Sequence, residues 1–64
     1  MQELDVVSLL IDLPDEGLRS GAEGTIVHIF HRPNLAYEVE FVDDDGATVA
    51  MVALTPDQVR QVDH

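Results

Sequence analysis

Between Gly24 and Ala53 three strand-like runs alternate with two turn-forming stretches, and within the middle run apolar and polar residues themselves alternate with a period of two. The runs are Gly24–Phe30, Leu35–Val42 and Ala47–Ala53, separated by His31-Arg32-Pro33-Asn34-Leu35 and Asp43-Asp44-Asp45-Gly46. Strands joined by connections this short must pair antiparallel, so the segment is a three-stranded meander. It takes up nearly half of a 64-residue chain and leaves no room for a large enzyme scaffold. Residues 1–64 are therefore read as a single small β domain, whose sequence does not by itself state its function.

A domain of this size removes only roughly 60% of the unfolded chain's surface from water, so its stability is marginal. It has no cysteine, hence no disulfide and no thiolate zinc site to supplement a small core. Oligomerisation or a bound partner remains as a source of further buried surface. Thirteen acidic residues against three arginines give a net charge of −10, which repels phosphate backbones and anionic headgroups. Nucleic acid and membrane surfaces are therefore not expected partners. The N-terminus Met1-Gln2-Glu3-Leu4-Asp5 has no positive region, and no apolar run approaches the roughly 20 residues of a bilayer span. A cytoplasmic location is the expectation.

The flanks of the meander complete the element list. Asp5–Ile11 is short, apolar and valine-rich, which favours a strand over a first-turn helix that Pro14 would cut short. Residues 12–23 contain Pro14, Gly17, Ser20 and Gly21 without periodicity, so they form a long ordered loop, with Leu13 and Leu18 as its tethers to the core. Asp43-Asp44-Asp45-Gly46 has the chemistry of a type I turn with a G1 bulge. It leads to a strand whose inner residues are expected to be Val49 and Met51. Thr55-Pro56-Asp57-Gln58 reads as an N-cap, a proline at the first helical position and a glutamine three residues after the cap. Too little chain follows for more than a single 3₁₀ turn and a last short strand. The expected fold is all-β, an SH3-like small barrel of about five antiparallel strands with one short 3₁₀ turn.

The first hairpin can be registered by keeping polar residues on one face. With Phe30 opposite Ala36, Ile29 faces Tyr37, Val27 faces Val39 and Thr25 faces Phe41, while His28 meets Glu38 and Ile26 meets Glu40. This puts Val27, Ile29, Tyr37, Val39 and Phe41 inside. A slip by one residue would bury His28 against Tyr37 or Val39, which is costly for a polar ring without a partner.

In order along the chain, Leu4-Asp5-Val6-Val7, Gly21-Ala22-Glu23-Gly24-Thr25-Ile26-Val27, Ala36-Tyr37-Glu38-Val39-Glu40-Phe41 and Asp45-Gly46 together resemble the small bacterial proteins of domain of unknown function family 4926. The resemblance covers almost the whole chain and is most specific at Ala36–Phe41. It implies a fold and a bacterial cytoplasmic setting, and no activity or site residue. The Gly-x-x-Gly-Thr-Ile-Val segment is also similar to KOW-type barrels and to the SH3-like part of nitrile hydratase β subunits. KOW barrels bind RNA through basic loops, whereas the loops here carry Asp12, Asp15, Glu16, Glu23 and Asp43 to Asp45, so fold likeness does not transfer that function.

The chemistry-bearing residues read as follows. Asp43–Asp45 lacks the alternating ligands and distant glutamate of a calcium loop, so it is a solvated turn. His28 and His31 are three apart on a strand and fall on opposite faces, which excludes a chelating pair. Glu38 and Glu40 lie roughly 7 Å apart on one face, a spacing that suits glycosidase carboxylates, but so small a barrel has no cleft to seat a sugar. Ser8, Ser20, Thr25, Thr48 and Thr55 sit in no nucleophile-elbow or phosphate-loop context. No catalytic, metal or cofactor-binding residue is expected.

In the same register Ile26, Phe30, Ala36, Ala50 and Val52 fall on the outer face, rimmed by Glu38, Glu40 and His28. Either residues 12–23 or the terminal strands cover this patch, or it is an interface. The expected partner-binding residues are Ile26, His28, Phe30, Glu38 and Glu40. The function expected is that of a non-catalytic acidic binding module for another protein with a basic surface, antitoxin-like, immunity-like or a regulatory subunit. The alternatives are a self-associating barrel, forming a homo-oligomer, and an accessory subunit of a larger enzyme.

Overall fold

A computed structural model describes residues 1–63. The strands are β1 (Val6–Leu9), β2 (Glu23–Phe30), β3 (Ala36–Val42), β4 (Thr48–Leu54) and β5 (Val59–Gln61). They form one antiparallel sheet in the order β4-β3-β2-β1-β5. The fold is all-β, and this strand order is compatible with an SH3-like small barrel. Two 3₁₀ turns occur where one was expected. Pro56–Gln58 is the anticipated one, and the Gln58 side chain accepts from the Thr55 N–H at 2.9 Å. The other, Pro14–Glu16, is closed by Gly17 in the left-handed region at φ 70°.

Both hairpins of the meander lie where the turn chemistry put them. At Asp43–Gly46 the Gly46 N–H donates to the Asp43 carbonyl and the Asp43 N–H to the Ala47 carbonyl, with Gly46 at φ 83°. That pattern is a type I turn followed by a G1 bulge. The loop between β2 and β3 spans residues 31–35. Leu13 and Leu18 tether the 12–23 loop as expected, Leu18 in the core and Leu13 packed against it.

The register of β2 differs from the sequence reading in its first half. Phe30↔Ala36, Ile29↔Tyr37 and His28↔Glu38 hold, but the pairing then shifts to Ile26↔Val39 and Thr25↔Glu40. Val27 is the extra residue of a β-bulge, and a bulge reverses which side chains point inward. Ile26 is consequently fully buried and Val27 only half-buried. The cause lies outside the hairpin. The first half of β2 also pairs with β1, where Val7 stands opposite Gly24. Val7 has to face the core, so Gly24 and Ile26 turn inward with it. Burying Ile26 rather than exposing it is worth roughly 1.5–3 kcal/mol.

A second shift, between Phe41 and Val42, corrects the reading of β4. Val49 and Met51 were expected inside, but they are 49% and 52% exposed. Ala50, Val52 and Leu54 face the core instead, opposite Phe41, Val39 and Tyr37. The bulge after the turn reverses the strand's parity, and small Ala50 fits opposite the Phe41 ring. The core consists of Val7, Leu9, Leu18, Ile26, Tyr37, Val39, Phe41, Leu54 and Val59.

Candidate functional site

The face of the meander turned away from this core carries the candidate site. On β2 it presents His28 and Phe30, on β3 Ala36, Glu38 and Glu40, and on β4 Met51 and Ala53. Cross-strand pairing sets His28 beside Glu38, Phe30 beside Ala36, Glu38 beside Ala53 and Glu40 beside Met51. The rings of His28 and Phe30 meet edge to face at 4.7 Å, an arrangement that holds both in one orientation. Glu40 accepts a hydrogen bond from the Thr48 hydroxyl at 2.8 Å.

Four of the five residues expected to contact a partner, His28, Phe30, Glu38 and Glu40, share this face. The fifth, Ile26, does not, because the Val27 bulge has turned it into the core. Ala50 and Val52, also assigned to the outer patch, pack against the core for the parity reason given above. The residues that take their place are Val42 and Met51, each 52% exposed. Sequence reasoning missed them because parity on β4 depends on the bulge, and Thr48–Leu54 is apolar in either phase. The 12–23 loop does not cover this face. Its leucines pack on the core, and Phe30 at 37%, Val42 and Met51 stay open to solvent. Leu4 is a further exposed apolar residue at 76%, held at φ 72° while its N–H donates to the Ile26 carbonyl.

The remaining polar groups have local roles. The Asp43 carboxylate accepts from the N–H groups of Asp45 and Ala47, at 2.9 and 3.0 Å, and so stabilises its own turn. Asp12 accepts from the Ser20 N–H at 2.8 Å and fastens the long loop. The Thr55 hydroxyl donates to Asp57 and, with a backbone hydrogen bond at Asp57 itself, holds that carboxyl below the usual carboxylate range. Among the described residues, no three His, Asp or Glu side chains gather as a metal site. A depression of about 360 Å³ lies at the long loop, lined by Asp12, Pro14, Gly17, Leu18 and Arg19. No serine, threonine or histidine lines it beside the aspartate, so it lacks a nucleophile and base pair. No helix of the described residues is long and apolar enough to cross a membrane.

The sequence from residue 3 to residue 61 matches a family described as a domain of unknown function, DUF4926. The chain belongs to the DUF4926 family. The match takes in every strand of the sheet, so the family unit and the folded unit coincide. No curated protein and no solved structure matches the chain.

Proposed function

We propose that this DUF4926 chain is a non-catalytic acidic docking module that binds a protein with a basic surface through the outer face of β2, β3 and β4. One observation carries the reading. Exposed apolar side chains, Phe30, Val42 and Met51, share a face with Glu38 and Glu40, and none of the other described residues covers them. Such a mixture of apolar anchors and charged rim matches the anatomy of protein interfaces, in which the apolar groups supply affinity and the charges steer encounter. The net charge of −10 favours a basic partner. A toxin, a nuclease or a larger enzyme subunit held by an antitoxin-like, immunity-like or regulatory chain fits that description. A cytoplasmic setting fits a chain without cysteine.

Affinity capture from the native host at low and high salt tests this. The expected result is a basic protein retained at low salt and lost as salt rises, with retention reduced by Phe30→Ala while the melting temperature is nearly unchanged. Recovery of the chain alone, or of an assembly of its own copies, would overturn the reading.

A further inference from the structure

The two edges of the sheet are unlike. β5 is an edge of three residues that carries Arg60, short and charged in the way natural sheets protect their margins. β4, the opposite edge, has seven residues, Thr-Val-Ala-Met-Val-Ala-Leu, without a charge or a proline. Its bulge lies at the turn end, so Ala50–Leu54 is an unbroken run paired on one side only, with β3. Among the described residues no other segment donates to or accepts from the outward backbone groups of this run. An uninterrupted, uncharged edge is a template for another strand.

The side chains beside the edge select what that strand carries. On the outer face of the Ala50–Leu54 run the two exposed residues are each backed by a β3 glutamate, Met51 by Glu40, which also accepts from the Thr48 hydroxyl, and Ala53 by Glu38. The chain's three arginines lie elsewhere, Arg19 in the long loop, Arg32 in the β2–β3 loop and Arg60 on β5. Neighbouring strands are ~4.8 Å apart, so a guest strand on β4 would run ~10 Å from β3. A lysine or arginine reaching across Ala53 or along Met51 spans that gap to a glutamate. Ala53 is small enough to let it pass. A second copy of the chain is a poor occupant. Pairing two β4 edges would bring together two chains of −10 each. It would also place both rows of glutamates on one face, ~14 Å apart, with no cation between them.

Resting on the docking reading above, we propose that the Ala50–Leu54 edge of β4 accepts an extended basic segment of the partner protein, which pairs as an additional strand with its cationic side chains over Glu38 and Glu40. Backbone pairing supplies the affinity and the glutamates select the basic sequence.

The test titrates isotope-labelled protein with synthetic peptides of about seven residues, alternating valine and lysine in both phases, the length that covers five paired positions. Expected are a Kd below about 1 mM at low salt, amide shift changes concentrated at Ala50–Leu54, and a loss of about tenfold or more from two independent changes. One is N-methylation of alternate peptide nitrogens, which removes the pairing donors. The other is Ala53→Lys, an exposed substitution that keeps the fold and repels the guest's cations. The proposal is overturned if neither peptide phase binds, if the shifts fall on His28 and Phe30 instead, or if both changes leave affinity within about twofold. Dimerisation of the free protein through β4, seen by sedimentation, would overturn it as well. Salt-sensitive partner capture that depends on Phe30 but not on Ala53 would remove the edge and keep the docking face. Failure of all capture would remove both.

Discussion

Substituting Gly24 by alanine distinguishes the bulged register of β2 from the straight one. A Cβ built on Gly24 meets Val39 Cγ1 at 2.6 Å, the Glu40 carbonyl oxygen at 2.8 Å and Phe41 Cδ1 at 2.9 Å. None of these neighbours can give way cheaply. The carbonyl is part of the β3 ladder, and Val39 and Phe41 are themselves buried at 0% and 2% exposure. Overpacking of this kind typically costs about 1–3 kcal/mol. Against it stands a gain of about 0.4–1 kcal/mol from the stiffer unfolded chain. Taking the midpoints of the two ranges, the balance is a loss of about 1.3 kcal/mol, and for a domain of this size that lowers Tm by roughly 5–10 °C. With a total stability on the order of 3–10 kcal/mol for a chain this long, the variant forfeits a large share of it. Urea unfolding followed by circular dichroism measures the change, with Gly17→Asn as a control. Gly17 has φ 70° and nothing within 4 Å of its hypothetical Cβ, so asparagine, which tolerates that region, should be nearly neutral. In a straight β2, residue 24 would point to solvent and alanine would be tolerated or stabilising. A Gly24→Ala change within about 0.5 kcal/mol of zero, the range of ordinary surface substitutions, would refute both the bulge and the close packing argued from it.

Three more outcomes are expected. Ile26→Ala should cost about 2–5 kcal/mol of stability as a core truncation, while Phe30→Ala costs little; comparable losses in urea melts would contradict the opposite placement of the two side chains. Leu4 is exposed and left-handed, a conformation costing about 1–2 kcal/mol for most residues, so Leu4→Asn should raise Tm, and a fall in Tm would mean that Leu4 packs on something. Asp57 is held below the usual carboxylate range by Thr55, and a lowered folded-state pKa gives stability that is present above the unfolded pKa and lost as pH falls through the folded one. Thr55→Val, which also removes a capping hydroxyl, should therefore open a stability gap at neutral pH that narrows on acidification below the carboxylate range; a gap of equal size at both pH values would show that Asp57 contributes nothing to it.

The parts of the fold that were legible in the sequence are those decided by local chemistry. Asp43-Asp44-Asp45-Gly46 specifies its own turn, with Gly46 at positive φ. Thr55-Pro56-Asp57-Gln58 specifies a 3₁₀ turn. Alternation within Ala36–Val42 put Tyr37, Val39 and Phe41 inside and Glu38 and Glu40 outside. What could not be read is where parity reverses. The Val27 bulge exists because β2 serves two neighbours, and its first half follows Val7 of β1, distant in sequence. His28 and Phe30 were placed correctly because they lie on the hairpin side of that bulge. Ile26 was misplaced because it lies beyond it. On β4, apolar residues fill both faces, so the hydrophobic pattern holds no information about which set is buried.

The docking face itself is tested most directly by calorimetry of the captured partner against the wild-type chain and against Glu38→Gln/Glu40→Gln, each over a range of salt concentrations. Wild-type affinity should fall steadily with salt, and the double variant should bind more weakly at low salt with a shallower dependence. Affinity that is independent of salt, or a double variant indistinguishable from wild type, would contradict the claim that the outer face of β2, β3 and β4 is where this chain meets its partner.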